Sequence, residues 1–138
     1  MLSRNGRALD LSVDYKASRK DEQERIKSQG GFIIFGRVFG RLAVTRSFGD
    51  FQCKQIQIIN EKTQEKETKN FVLNEPEIRF VTINKQTDDF IILASDGLYD
   101  RFSSEECVEL AREKFLTMDI LEQDPAVVAG HLVHEAVT

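Results

Sequence analysis

Asp96 stands at the end of an unbroken apolar run, Phe90-Ile91-Ile92-Leu93-Ala94, and is followed at once by Gly97. The run is too short for a buried helix and rich in β-branched and aromatic residues, so it predicts a strand buried on both faces. A carboxylate where such a strand hands over to a loop is partly dehydrated, which costs free energy unless a positive charge meets it. A hard divalent cation meets that need, because Mg²⁺ is commonly held by one or two carboxylates and keeps several waters. Asp-Gly is also an ordinary turn dipeptide, and spacing alone favours that plainer meaning. A second cluster, Arg41-Leu42-Ala43-Val44-Thr45-Arg46-Ser47-Phe48-Gly49-Asp50, combines two arginines, two hydroxyls, a glycine and an aspartate. Those groups suit phosphate contact. The structural alternative, a strand leaving the core with Asp50 capping whatever follows, is the stronger reading. His131 and His134 have no acidic or cysteine partner at ligand spacing and are assigned structural roles.

Bulk properties narrow the function classes. A chain of 138 residues fits one domain with a real core. The net charge of -4, with acids and bases interspersed, argues against a nucleic-acid surface or a polybasic membrane patch. Cys53 and Cys107 are far apart and lie in no CxxC pattern, which argues for a reducing compartment over a disulfide framework or zinc site. No apolar run approaches a membrane span, and the N-terminus has no apolar signal core. The expectation is a soluble intracellular protein, cytoplasmic or nuclear, with no nucleic-acid or membrane partner.

The elements that must position Asp96 follow from periodicity. Met1–Gly6 ends in an Asn-Gly turn signal, and Ala8–Val13 alternates like a strand. A chain opening on a turn suggests that the first strand of a hairpin has been left out. Asp21 is an N-cap candidate with Glu24 three residues on, and Gly30-Gly31 stops the short helix. Its charges are read as a solvated face without chemistry. Phe32–Phe35 and Ile56–Ile59 predict brief strands. The polar stretch Asn60–Asn70 reads as an exposed mobile loop. Phe71-Val72-Leu73 resumes the strand pattern, and Glu77–Ile83 alternates as an antiparallel strand with one wet face. Ser103-Ser104-Glu105-Glu106 forms a capping-box pattern, after which Cys107, Leu110, Ala111, Phe115 and Met118 share one helical face. Asp124-Pro125 opens the last helix with a proline at its first position.

Taken together, RNGRALDLSVDY, EQERIKSQGGFI, RVFGRLAVTRSFGD, NEPEIRF, DDFIILASDGLYD and SSEECVELAREKF resemble the metal-dependent type 2C protein serine/threonine phosphatases. The resemblance runs from about Leu2 to the last helix, with the motifs in the family's order. It implies an α+β fold that is part of a four-layer αββα sandwich, with antiparallel sheets flanked by helices. It further implies hydrolysis of phosphoserine and phosphothreonine proteins by water activated on two Mg²⁺ or Mn²⁺ ions, a clamp that lowers the water's pKa. By motif match, Asp96 resembles one of the metal carboxylates. Asp100 either contributes to a weaker third ion, orients the site, or only fixes the loop. Residues from about 45 to 75 correspond to the flap beside the cleft.

The departures from the family pattern matter as much. The Asp-Gly-His-Gly-Gly segment that normally comes earlier is not found; Asp96-Gly97 is the only Asp-Gly in the chain. The later Asp-Asn motif is missing too. Residues 1–138 are therefore expected to be the C-terminal part of the catalytic domain, incomplete at both ends and inactive alone, with weak or absent metal binding. The alternative is a non-catalytic docking or regulatory module derived from such a phosphatase. Missing strands should leave sheet edges or an apolar face uncovered, which favours self-association.

Overall fold

A computed structural model of the chain describes residues 1–60, 63–119 and 123–138. They fall into two compact units, Met1–Ser12 with Arg79–Thr138, and Val13–Ile78. Antiparallel sheets and helices occur together, an α+β fold.

The first unit is built on a three-stranded antiparallel sheet of order β2-β1-β7, with β1 at Leu2–Arg4, β2 at Arg7–Leu9 and β7 at Asp88–Ile91. Asn5 and Gly6 link β1 to β2, with φ of 51° and 72°. An Asn-Gly pair accepts two left-handed residues readily, so the hairpin closes on the shortest loop. The hairpin's first strand is thus present, contrary to the expectation of a missing one, and Asp10–Val13 do not extend β2. Ser3 is fully buried and donates to Asp89 at 2.8 Å, while Arg4 grips Asp88 through Nε at 2.6 Å and Nη2 at 3.0 Å. Among the described residues three helices complete the unit: α2 at Asp96–Tyr99, α3 at Ser104–Leu116 and α4 at Pro125–Val137. The capping box is formed as read: Ser103 Oγ accepts from the Glu106 amide, and Glu106 accepts from the Ser103 amide at 2.7 Å. Asp124 caps α4 by accepting from the Ala126 amide. The core joins Met1, Ile92 and Leu98 to Cys107, Val108 and Ala111 of α3 and to Val128 and Leu132 of α4. Cys107 and Ala111 are buried as the α3 face predicts and Leu110, Phe115 and Met118 pack against them partly buried, whereas the fully buried Val108 lies outside the face read from the sequence.

Two strand expectations fail here. The apolar run is dry on one side only: Ile92, just past β7, is buried, but Ile91 is half exposed and Leu93 is 91% exposed. Both faces of a strand are dry only when a layer covers each, and among the described residues no layer covers the Ile91–Leu93 side. Glu77–Ile83 belongs to no strand. Its alternation breaks at the adjacent Phe80 and Val81, and alternation supplies a face and not a hydrogen-bonding partner.

The second unit contains α1 at Lys20–Ser28, a hairpin of β3 at Ile33–Ile34 with β4 at Arg37–Val38, a 3₁₀ turn at Phe51–Cys53, and a hairpin of β5 at Ile56–Ile59 with β6 at Lys66–Lys69. Its core gathers Ala17, Ile26, Val38, Cys53, Phe71 and Val72. Edge-on aromatic contacts link Phe32 to Phe39 and Phe39 to Phe71, both with centroids 4.9 Å apart. Several sequence expectations are corrected. Arg19, not Asp21, occupies the α1 N-cap, and Asp21 lies in the first turn held by Arg19. Asp50 precedes the 3₁₀ turn in the left-handed region without a side-chain cap, its carbonyl accepting from Cys53 instead. Lys66–Lys69 form a ladder with β5, so that part of the polar stretch is a strand; Glu61 and Lys62 lie outside the described residues. Solvated strands need only one apolar face, and Ile56 and Ile58 supply it from the partner strand.

Candidate metal-binding turn

Asp96 opens α2, with Ser95 in extended backbone before it. The apolar run therefore ends in a single helical turn where a loop was expected. Leu98 explains the position: its side chain is buried in the core, which fastens the turn to α3 and α4. Backbone bonds tighten it, the Asp100 amide donating to the Asp96 carbonyl at 2.8 Å and the Phe102 amide to Leu98 at 3.0 Å. Tyr99 Oη donates to the Ile92 carbonyl at 3.4 Å, tying the turn back to the strand end. Burial raises the Tyr99 pKa, so this hydroxyl keeps its proton.

Asp96 and Asp100 are thus four residues apart on one turn, the spacing that places side chains on the same helical face. Both are exposed. Two exposed carboxylates suit a hydrated divalent ion of the Mg²⁺ class, which needs few protein ligands. Among the described residues no group of three or more His, Cys, Asp or Glu side chains is placed to hold a metal. The turn therefore fits a share of a metal site and not a closed one.

Contrary to the sequence reading, His131 has an acidic neighbour one turn away on α4, with Nδ1 3.7 Å from Glu135 Oε1. Cys107 is fully buried, and desolvation raises its thiol pKa, an inert core position.

The second cluster takes the structural role favoured from its sequence, though through side-chain contacts and not as a strand capped by Asp50. Arg46 is engaged within its own unit. Its guanidinium carbon sits 3.7 Å from the Tyr15 ring centroid, Nη1 donates to the Glu75 carbonyl at 3.1 Å, and Nη2 reaches Glu22 at 3.4 Å. Glu22, a charge read as part of a solvated helix face, is buried and held by Arg25 as well, at 2.8 Å. Burial acts to raise the Glu22 pKa, but the Arg25 hydrogen bonds and the charges of Arg25 and Arg46 outweigh it, leaving it below the ordinary glutamate range. No periodicity rule announces such a triad, because its members come from α1 and from a loop far along the chain. The buried Lys54 ammonium donates to the Ser47 carbonyl at 2.6 Å and to the Asn74 side chain. These contacts fix Arg46 and Ser47 of the RSFGD stretch, while Phe48 and Asp50 stay exposed.

Comparison with known proteins defines the class. The family model for protein phosphatase 2C matches residues 1–138. The chain is 39% identical over 140 residues to probable protein phosphatase 2C 69 of Arabidopsis thaliana, covering 99% of this chain and 33% of that protein. It is 37% identical over 142 residues to probable protein phosphatase 2C 32 of Oryza sativa subsp. japonica, covering 100% of this chain and 32% of that protein. With protein phosphatase 1L of Bos taurus it shares 38% identity over 117 residues, 83% of this chain and 29% of the other. The chain belongs to the protein phosphatase 2C family. It spans about a third of the length of these curated relatives. No helix among the described residues is long and apolar enough to cross a membrane.

Proposed function

We propose that this chain forms part of a metal-dependent protein serine/threonine phosphatase that hydrolyses phosphomonoesters of phosphoserine and phosphothreonine proteins. Asp96 is a metal ligand in this reading, and Asp100 is a weaker or orienting carboxylate on the same turn. The observation that carries it is the family match across residues 1–138, with Asp96 exposed at the head of a turn fastened to the core by Leu98. Bound Mg²⁺ or Mn²⁺ would supply an activated water and offset charge on the phosphoryl group. The chain's own contribution is positional: Leu98 and the backbone bonds of the turn hold two carboxylates one turn apart. Residues from about 45 to 75 form the flap in the same proposal.

With only two carboxylates on the turn, the isolated chain turns over little or no substrate. The experiment is Mn²⁺-dependent hydrolysis of p-nitrophenyl phosphate by the wild-type chain and by Asp96→Asn. The expected result is no metal-dependent turnover above background in either. Turnover abolished by Asp96→Asn would uphold the ligand assignment and refute the inactivity. Turnover that survives the substitution would refute the assignment. The lack of a three-ligand group among the described residues favours a second reading, a non-catalytic docking or regulatory module.

A further inference from the structure

The β3–β4 hairpin of the second unit carries an apolar tip beside cations that no carboxylate neutralises. Ile34 and Arg37 are direct partners across the hairpin, so they share one face, and Phe35-Gly36 is the two-residue loop between them. The other pair, Ile33 with the fully buried Val38, faces the core of the unit. Phe35 is 96% exposed and Ile34 46%, which leaves the tip and the outer face apolar and in water. Phe35 also has φ of 51°, a conformation that disfavours a bulky side chain, and at that exposure no packing within the chain compensates it. A backbone outlier of this kind is grounds for a functional hypothesis.

Charge at the hairpin is equally one-sided. Residues 25–49 hold five Lys or Arg and no Asp or Glu, in a chain whose net charge is -4. Arg25 and Arg46 are engaged with Glu22, but Arg37 and Arg41 are exposed and have no acidic partner among the described residues. Arg37 Nη1 donates to the Arg41 carbonyl at 2.9 Å, and the Arg41 amide to the Val38 carbonyl at 3.0 Å, so both arginines stay at the hairpin. Their unpaired charges mark this tip as outer surface and not as a face awaiting the rest of a fold, because burying an unpaired charge is strongly unfavourable. The net charge that argued against a membrane averages over this local arrangement.

We propose that the β3–β4 hairpin docks on an anionic membrane surface, with Phe35 and Ile34 entering the headgroup layer and Arg37 and Arg41 meeting anionic headgroups. Apolar side chains at the acyl boundary and cations at the headgroups are the two contacts such a surface rewards. A nucleic acid fits less well, since firm binding there draws on about 6–10 phosphate contacts and two free arginines cannot supply them. Each arginine strengthens attachment about fivefold, so binding is weak, reversible and dependent on the ring as well. The proposal does not rest on the Asp96 assignment.

Co-sedimentation of the 138-residue chain with phosphatidylcholine vesicles, with and without phosphatidylserine, tests it. The expected result is binding to the phosphatidylserine vesicles that falls as salt is raised, and little binding to phosphatidylcholine alone. Phe35→Asn, checked for unchanged circular dichroism, should weaken binding about tenfold, because the ring is the largest apolar surface at the tip. Arg37→Gln and Arg41→Gln should each weaken it about fivefold. Phe80→Asn, which removes an equally exposed ring from the first unit, should leave it unchanged. A wild type that stays in the supernatant at low salt would overturn the proposal, as would binding indifferent to Phe35→Asn or to lipid charge. Equal loss in Phe80→Asn would place the contact elsewhere and overturn it too. Retention on single-stranded DNA without retention on vesicles would assign the arginines to a nucleic acid instead.

Discussion

Replacing Glu22 by alanine isolates what the buried triad contributes. Its carboxylate is almost wholly enclosed, with 4% of the side chain exposed, and it meets Arg25 and Arg46, whose side chains are 20% and 23% exposed. Removing one partner of a fully buried pair costs about 3–5 kcal/mol, because the other charge is stranded. Here both guanidiniums reach some water, and Arg46 keeps Tyr15 and the Glu75 carbonyl, so the expected loss is about 2–3 kcal/mol. For a unit of this size that lowers the melting temperature by roughly 10–20 °C. Glu24 on the exposed side of the same helix provides the control, with an expected change within about 0.5 kcal/mol. The chain has two tyrosines and no tryptophan. In a Tyr99→Phe background, Tyr15 fluorescence therefore reports the unit that holds Glu22. The pH dependence has a definite sign. The folded pKa of Glu22 is depressed, so its contribution is complete above the ordinary value of 4.5 and is lost as pH falls through the folded value. Urea titrations between neutral and acid pH should show wild type losing an increment that Glu22→Gln lacks. If Glu22→Ala cost no more than Glu24→Ala, the triad would be an exposed ion pair and the reasoning wrong.

Other expectations are briefer. Gly31→Ala should destabilise the second unit by about 1–3 kcal/mol in urea, because the added Cβ would lie 2.6 Å from the buried Phe71 ring and 2.8 Å from Ile26. Ser103→Ala should cost about 1 kcal/mol by removing the α3 cap, measured by loss of helical circular dichroism on heating. Asp88 is held well below its ordinary value of 3.8 by the Arg4 hydrogen bonds. Its contribution should persist above that value and fade as pH drops through the folded one, so Asp88→Asn should flatten the acid limb of the first unit's stability. Phe35→Asn should raise stability by about 0.5–1 kcal/mol, since Phe35 is almost fully exposed with φ of 51°, a conformation asparagine accepts more easily. An unchanged or lowered melting temperature would refute that last inference.

The helices were legible because caps and faces are local. Ser103 with Glu106, and Asp124 with Pro125, mark their helix starts within a few residues. The family was legible in the same way, through contiguous motifs such as LAVTRSFGD and ILASDGLYD. What failed depended on partners distant in sequence. Glu77–Ile83 has part of the period of a strand but no ladder, and the apolar run that begins in β7 has the composition of a doubly covered strand with one face bare. Lys66–Lys69 looked like loop because a polar strand carries no apolar period of its own. Asp96 stands out in the sequence by its place after an apolar run. Its helical turn depends on Leu98 packing against α3 and α4, a contact no local rule contains. Glu22 shows the limit most plainly: by composition it belongs to a charged helix face, and only the fold brings Arg46 to it.

The most direct test of the central claim, that Asp96 and its turn hold a divalent cation, is amide NMR of the ¹⁵N-labelled chain during addition of trace Mn²⁺. Paramagnetic broadening detects weak sites and locates them by residue, so it does not depend on turnover. The account predicts broadening that begins at Ser95 to Asp100, is reversed by excess Mg²⁺, and is lost from that turn in Asp96→Asn. Broadening that begins instead at acidic positions elsewhere, such as Glu65 and Glu67, or that is unchanged by Asp96→Asn, would contradict it.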